Sequence, residues 1–372
     1  MIDRANIQKI YFFCNADIKT DFIVQDFNGF ESISQLYSFT LTLTSKNHDI
    51  KLDSIINTNA EVLIYRKGKF YTYSGIITEF TYCETTVDYS VYKVILIPQL
   101  WILSLNYQSR VFQKMNIPDI IEKIFKDSGL NDYYEIHVDS SVYPEREYVV
   151  QYEETDLQFI SRLMESSGIW YFFKQEPVDA NALSGKAFKE AMIITDDPQQ
   201  FTALQVDPKI IFRGEAGMVR QTEDTDLDHI FELCYSRNII SEKIELKNYN
   251  YRTPEVNLSA FKEVADGDFG YTYEYGGDYK NIDKAQHCAE IEAKREAVKQ
   301  KVLRGKSYCR GLRVGNRIEI VEHEKSELNQ QYVITQVEHV GIFSKNNELF
   351  EYPSYSNVFH VIPSDKAINF AP

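Results

Sequence analysis

The stretch ETDLQFISRLMESSGIWYFF, residues 154–173, decides the fold class. Thr155 and Gln158 have capping-box spacing, so each side chain can satisfy the other's free backbone N–H at the start of a helix. Loss of such a cap costs about 1 kcal/mol. Asp156 adds a negative charge at the positive end of the helix dipole. These residues predict that a capped helix begins here.

The same stretch predicts the end of this helix and the element after it. Gly168 is a natural helix stop, and Ile169–Phe173 is an uninterrupted apolar run that is typical of a buried strand. The apolar face of the helix consists of Leu157, Ile160, Leu163 and Met164. We therefore expect a helix docked on a sheet.

Upstream of this stretch the sequence predicts mainly strands. Apolar and polar residues alternate from Tyr37 to Thr44, as in a sheet with one buried face. A tight turn is predicted at Lys67-Gly68, because glycine permits the backbone geometry of such a turn. A first helix is expected between Pro118 and Gly129. The remaining predicted strands are Glu61–Arg66, Lys69–Thr81, Tyr89–Ile97 and Glu147–Tyr152.

Downstream, further strands surround a second long helix. The helix is predicted over Asp283–Lys301, with Asp283 and Gln286 at capping-box spacing. Its thin stripe of small residues suggests close packing against another copy or a barrel wall. Residues 176–190 are expected to form a surface excursion, and the Gly- and Tyr-rich stretch Ala265–Tyr279 a long loop or hairpin. The predicted strands are His229–Ser236, Glu242–Tyr249, Arg317–Glu322 and Tyr332–His339.

Composition sets limits on the class of function. With 44% hydrophobic residues, 26 Tyr and 23 Phe, the chain can bury a sizeable core and favours β structure. Its 40 basic against 55 acidic residues give a net charge of −15, which disfavours binding to nucleic-acid phosphates. The five scattered cysteines form no CxxC pair, so neither a zinc ribbon nor a disulfide framework is indicated. No signal peptide or membrane-spanning stretch is expected.

Several stretches imitate catalytic or metal-binding motifs but lack a required residue. After His323-Glu324, Glu327 stands where a zinc-protease helix needs its second His. Gly305-Lys306-Ser307 resembles the end of a phosphate loop, but Gln300 stands where that motif needs its first Gly. A run of alternating aspartates opens like a calcium loop without the turn Gly and closing Glu: Asp224, Asp226 and Asp228. We therefore expect no enzyme and no catalytic, cofactor or metal residues, although a glycosidase carboxylate pair from distant positions stays open.

Residues 154–173 strongly resemble the signature of VgrG spike proteins, which runs E-[S/T]-D-x-x-F-x-x-R-L-x-E-x-x-G-I-x-Y-F-F. Phe27–Leu43 is similar to the early part of that family, where a Gly-x-Glu-x-[L/I]-S element precedes an alternating strand. Leu328-Asn329 and Tyr332–His339 look like its late strand pair. The resemblance thus extends over nearly the whole chain in the same order.

The resemblance implies the fold of a contractile-phage baseplate hub, mainly β with α elements. Two similar β-barrels per chain would be separated by helical and mixed segments, and three chains would form a ring of pseudo-sixfold symmetry. The resulting domains are a first barrel over 1–110, a mixed α/β segment over 111–190, a second barrel with the long helix over 191–350, and a linker over 351–372.

The implied function is the structural hub of a type VI secretion spike. It would form a homotrimer, cap the hexameric Hcp tube, contact baseplate proteins and support a membrane-puncturing needle with a PAAR tip. VgrG chains normally continue into that needle, whereas this sequence ends at Ala371-Pro372, so either the chain is truncated or the needle is a separate polypeptide. The protein would assemble in the bacterial cytoplasm and be injected without a signal peptide. Two alternatives remain, a hub of a phage-like extracellular particle and a spike-borne cell-wall hydrolase.

Overall fold

Strands dominate the computed structural model, which describes residues 10–16, 21–174, 178–179, 190–214, 228–277, 279–345 and 348–367. The strands are β1 (Ile10–Cys14), β2 (Ile23–Ser32), β3 (Ser38–Ser45), β4 (Asn59–Arg66), β5 (Lys69–Thr85), β6 (Ser90–Ile97), β7 (Tyr107–Met115), β8 (Tyr134–His137), β9 (Arg146–Thr155), β10 (Trp170–Lys174), β11 (Val178–Asp179), β12 (Ala191–Thr195), β13 (Thr202–Ala203), β14 (Lys209–Phe212), β15 (His229–Arg237), β16 (Lys243–Asn248), β17 (Leu258–Glu263), β18 (Tyr271–Tyr275), β19 (Lys301–Ser307), β20 (Asn316–Val321), β21 (Gln331–Lys345) and β22 (Glu348–Pro363). The helices are α1 (Ile117–Asp127), α2 (Asp156–Ser166), α3 (Ile282–Val298) and α4 (Ser364–Ala367).

One large sheet contains most of these strands, and it has two parts. The first part, which we call the N-terminal strand group, has the order β1-β4-β5-β6-β3-β2. The second part continues as β21-β22-β19-β15-β14-β20, and β20 pairs back with β21, so these six strands form a closed barrel. Hydrogen bonds between β2 and β21 join the two parts, from Asp26 opposite Ile342 to Ser32 opposite Gln336. The expectation of a mainly β protein containing a barrel is confirmed.

The local patterns of the N-terminal strand group explain its core. The alternation predicted from Tyr37 to Thr44 is confirmed, because Tyr37, Phe39, Leu41 and Leu43 are fully buried. Lys67 and Gly68 have positive φ values of 47° and 83°, and they connect the antiparallel pair β4–β5. Two consecutive positive φ values match the twist of a two-residue hairpin, so the predicted turn is confirmed as well.

The signature stretch lies between the two parts of the large sheet. Helix α2 and strand β10 occur as predicted, and β10 belongs to a small sheet with the order β10-β12-β8. Tyr171 and Phe173 pack into the same core as the N-terminal strand group, whereas Trp170 and Phe172 pack into the core of the closed barrel. Strand β10 therefore lies between the two cores and contributes side chains to both, which explains why both of its faces are apolar.

Helix α3 covers a separate three-stranded sheet with the order β17-β16-β18. Its small-residue stripe is confirmed, but this stripe packs on the protein's own sheet instead of another copy or a barrel wall. The shared core contains Ile244, Leu246, Leu258, Ala260, Ala285, Ala289, Ala293 and Ala297. The predicted cap at Asp283 is wrong, because the Asn281 side chain accepts the hydrogen bond from the Lys284 N–H at 2.8 Å.

Two segments predicted to be irregular contain strands instead. Within Ala265–Tyr279, β18 pairs with β16 in parallel, so this segment is not a hairpin. The predicted linker 351–372 is wrong for 351–363, which belong to β22 and pair with β19 and β21. The inward positions there include the polar Asn357, which interrupts the apolar alternation that would have revealed a strand. Most of the predicted excursion 176–190 lies outside the described residues, and the domain boundaries after residues 110 and 190 stay a prediction.

Candidate functional site

The start of α2 is fixed by the predicted capping box and by an ion pair that the sequence did not reveal. Thr155 Oγ1 accepts from the Gln158 N–H at 3.1 Å, and Gln158 Oε1 accepts from the Thr155 N–H at 2.9 Å. Asp156 is buried and accepts from Arg110 Nη2 at 2.6 Å and from Gln151 Nε2 at 2.9 Å. The carboxylate therefore fixes the β7–β9 ribbon to the helix, in addition to its effect on the helix dipole.

A buried polar cluster lies where β2 meets β21. His339 Nε2 is 3.0 Å from Glu31 Oε1, and His339 Nδ1 is 2.7 Å from the Tyr355 hydroxyl. Tyr73 donates to the same Glu31 oxygen at 2.8 Å. Burial lowers the pKa of His339, although Glu31 acts in the opposite direction. The cluster contacts both parts of the large sheet, so it serves their alignment, and we interpret His339 as a structural residue.

A second buried carboxylate connects the N-terminal strand group to the start of β12. Glu190 accepts hydrogen bonds at 3.0 Å from the Gln99 N–H and at 3.1 Å from the Tyr37 hydroxyl. Burial raises the pKa of Glu190 to about 8, despite the opposing effect of these hydrogen bonds. Among the described residues its hydrogen-bond partners are backbone amides and the Tyr37 hydroxyl, and none of these is a catalytic group. We interpret Glu190 as a structural acid.

A group of exposed aromatic residues lies on the outer side of the three-stranded sheet. Phe261, Tyr271, Tyr273 and Tyr275 are between 51% and 66% exposed, and we call these four residues the aromatic face. They share one side of the sheet because Phe261 and Tyr273 both lie opposite Glu245 in register, and α3 covers the other side. Clustered exposed aromatics are typical of protein interfaces.

The outer side of the β7–β9 ribbon carries a second set of exposed apolar and aromatic side chains. Phe112, Val149 and Gln151 are buried, so their neighbours in sequence face outward. The exposed apolar and aromatic ones are Val111, Tyr148, Val150 and Tyr152. The ribbon lies beside the three-stranded sheet, because Lys280 Nζ is 5.3 Å from the Tyr148 ring centroid and Arg252 pairs with Glu147 at 3.2 Å. Both elements thus expose apolar and aromatic side chains.

The imitated motifs do not converge on a site in the described part of the chain. His323 and Glu324 lie between β20 and β21, outside any helix, and Gly305 lies within β19. Asp228 pairs with the buried Arg66 at 2.6 Å, while Asp224 and Asp226 lie outside the described residues. Among the described residues, no group of three or more His, Cys, Asp or Glu could hold a metal ion. None of the helices described is long and apolar enough to cross a membrane.

Sequence comparison finds relatives among secretion spike proteins. The chain is 27% identical over 323 residues to the type VI secretion system spike protein VgrG1b of Pseudomonas aeruginosa, covering 85% of this chain and 41% of that protein. It is 24% identical over 360 residues to the actin cross-linking toxin VgrG1 of Vibrio cholerae, covering 92% and 31%. The chain thus spans less than half the length of either relative.

Structural comparison finds the same fold in tail and spike proteins. The E. coli protein c3393 is described as a type VI secretion component similar to the T4 tail proteins gp27 and gp5. It matches with a TM-score of 0.68 and 20% identity over 97% of this chain and 79% of that one. The 43 kDa tail protein of prophage MuSo2 from Shewanella oneidensis matches with a TM-score of 0.63 and 12% identity, over 97% and 100%. The family model described as phage tail baseplate hub (GPD) matches residues 30–345, so the chain belongs to that family.

Proposed function

We propose that this chain is the structural hub of a type VI secretion spike, and that three copies form a ring on the end of a hexameric Hcp-like tube. The family match and the likeness to VgrG proteins support this role. Hubs act by presenting matched surfaces, so no small-molecule chemistry is required of the ring. The role is that of a structural protein, not an enzyme.

One repeated contact supports two similar barrels in each chain. In the N-terminal strand group Gly29 lies opposite Phe39, and in the closed barrel Gly305 lies opposite Phe359. A Cβ atom added to Gly29 would be 2.2 Å from the Phe39 ring, and one added to Gly305 would be 2.3 Å from the Phe359 ring. In each unit a phenylalanine ring therefore occupies the space above a glycine that lies opposite it on the neighbouring strand. Three chains with two such units each would match a sixfold tube.

The aromatic face and the outer side of the β7–β9 ribbon are suitable contacts between chains. An interface in a stable assembly buries roughly 800 Å² per partner and is enriched in Tyr and Phe. In a chain with a net charge of −15, apolar contacts must also outweigh repulsion between copies. We propose that these two faces lie between subunits of the trimer.

Molar mass measured by light scattering over a concentration series tests the trimer. We expect three times the chain mass of 43.4 kDa. Tyr273→Lys, which places a charge in the aromatic face, should shift the mass towards the monomer, whereas Val87→Lys at a 95% exposed position should leave it unchanged. A monomer at every concentration for the unmodified chain, alone and with a downstream needle segment added, would contradict the ring.

A hub of a phage-like extracellular particle is the second candidate. The likeness of its fold to that of the MuSo2 tail protein supports it. The tube partner separates the two: co-sedimentation with Hcp hexamers supports the type VI hub, and binding only to a phage-type tube protein supports the alternative. In either setting we propose assembly in the cytoplasm, contact with baseplate proteins and a needle with a PAAR tip, and delivery into a target cell without a signal peptide.

A further inference from the structure

A small cavity opens between the N-terminal strand group, the β10 sheet and the closed barrel. Its volume is about 120 Å³, which is enough for a few non-hydrogen atoms. Two buried polar residues, Arg313 and Tyr71, line it together with apolar side chains. The apolar part of the lining consists of Phe172, Phe173, Ile193, Leu204 and Val314.

Arg313 is a buried cation without a carboxylate partner in the described part of the chain. The residue is only 2% exposed, and its Nη1 donates to the carbonyl oxygens of Leu312 at 2.7 Å and Arg310 at 3.2 Å. Its Nε and Nη2 atoms have no hydrogen-bond partner among the described residues. Arginine is seldom buried without a paired charge, because an unpaired buried charge is costly. The two unpartnered donors therefore indicate that something outside these residues completes the site.

The two unpartnered nitrogens have a specific geometry. Nε and Nη2 form one edge of the planar guanidinium, and this edge donates two parallel hydrogen bonds to the two oxygens of a carboxylate. The Arg313 guanidinium lies against two aromatic rings, since its Cζ is 4.4 Å from the Tyr73 centroid and 4.9 Å from the Tyr71 centroid. Such stacking keeps the edge fixed, so little side-chain entropy is lost on binding.

Tyr71 supplies another donor in the same cavity. Its hydroxyl is buried and has no hydrogen-bond partner within the described ranges. Glu31 is the carboxylate of the adjoining buried cluster. It already accepts a hydrogen bond from Tyr73 at 2.8 Å and lies 3.0 Å from His339 Nε2. Glu31 forms no ion pair with Arg313, although both lie in described parts of the chain, so it leaves Nε and Nη2 of Arg313 without a partner.

The remaining lining residues restrict the charge of the ligand. Glu135 and His137 lie at the cavity and are 3.0 Å apart, and Lys174 lies there as well. One acid, one base and one imidazole leave the rim close to neutral, so Arg313 is the net charge that a ligand would meet. A singly charged group fits this balance better than a doubly charged phosphate. The apolar lining suits a short hydrocarbon arm beside that charge.

We propose that this cavity binds one carboxylate group on a short aliphatic arm, with the Nε–Nη2 edge of Arg313 and the Tyr71 hydroxyl as its donors. The group can be a free short-chain acid or the acidic side chain of another polypeptide. In both cases binding joins the N-terminal strand group to the closed barrel, because Tyr71 lies in β5 and Arg313 just before β20. Occupancy would therefore stabilise the whole chain.

The test compares the thermal midpoint of the full chain in sodium acetate and in sodium chloride at equal ionic strength. We expect acetate to raise the midpoint by about 2 °C or more at saturation. N-acetylglutamic acid α-amide, which mimics a protein side chain, forms the second arm. Stabilisation by acetate at the lower concentration indicates a free acid, and stabilisation by the glutamate analogue at the lower concentration indicates a side chain of a partner. No shift with either probe would overturn the proposal.

Variants assign any shift to this cavity. Tyr71→Phe keeps the ring that stacks on Arg313 and removes only the hydroxyl, so we expect the half-saturating concentration to rise about tenfold. Tyr279→Phe is the matched control, because its buried hydroxyl also lacks a partner among the described residues but lies in the core beneath α3. Arg313→Gln should abolish the response, and Tyr71→Phe decides the matter if that variant fails to fold. An unchanged response in Tyr71→Phe would refute the site.

Discussion

Replacing Gly29 by Ala should destabilise the protein through a single methyl group. The new Cβ would lie 2.2 Å from the Phe39 ring, well inside van der Waals contact. Phe39 has no room to retreat, because it is fully buried and its ring centroid is 4.2 Å from that of Tyr73 and 6.1 Å from that of Phe27. Overpacking of this kind costs about 1–3 kcal/mol, and the lower chain entropy of Ala in the unfolded state offsets about 0.4–1 kcal/mol. We expect a net loss of about 1–2 kcal/mol.

Urea unfolding followed by circular dichroism measures this loss. Gly214→Ala is the control, because its added Cβ would meet only the Phe212 ring at an ordinary 3.7 Å, so its free energy of unfolding should be unchanged or slightly higher. A double-mutant cycle with Phe39→Leu isolates the contact, since the smaller side chain leaves space for the methyl group. In that background Gly29→Ala should cost less than half as much. An equal cost with Phe and with Leu at position 39 would refute the argument.

Three further predictions test the helix, its cap and a buried acid. Leu163→Asp or Met164→Asp should give no folded, soluble protein, because each places an unpaired charge in the core. The control Val87→Asp should give a normal circular dichroism spectrum. A soluble, trimer-competent variant with Asp at both 163 and 164 would contradict their placement. Thr155→Ala should lower the free energy of unfolding by about 1 kcal/mol and Thr155→Ser by only a few tenths, so equal losses in urea titrations would exclude the cap. Glu190 has a pKa of about 8 in the folded state, so its contribution to stability is complete below the ordinary carboxyl pKa and declines as the pH rises to about 8. Urea midpoints measured at pH 5, 6.5 and 8 should therefore fall less steeply with pH for Glu190→Gln than for the unmodified chain. An equally steep fall in both proteins would contradict the raised pKa.

Features with short-range causes could be predicted from the sequence. The cap at Thr155 depends on residues three apart, and the turn at Lys67-Gly68 on two consecutive residues. The alternation that ends at Thr44 needs only one strand and one buried face. In each case the chemistry that fixes the structure lies within a few residues, so one sequence is sufficient.

Features fixed by distant partners could not be predicted in the same way. Arg110 pairs with Asp156 across the β7–β9 ribbon, and Asn357 is buried because Ser307 and Cys309 supply its hydrogen-bond partners from β19 and the turn after it. Arg313 gave no local signal at all, since its burial depends on three separate parts of the fold. A lone Asn or Arg in a sequence is expected at the surface unless its partner is known.

The pairing of β2 with β21 has a consequence for synthesis of the protein. The two strands are separated by about 300 residues, so at 5–20 residues per second the ribosome needs about 15–60 s to supply the second strand after the first. During that interval the N–H and C=O groups along one edge of β2 have no partner strand, and such edges recruit other chains into non-native sheets. We therefore expect the yield of assembled hub to respond to chaperone supply more than the final stability of the chain suggests.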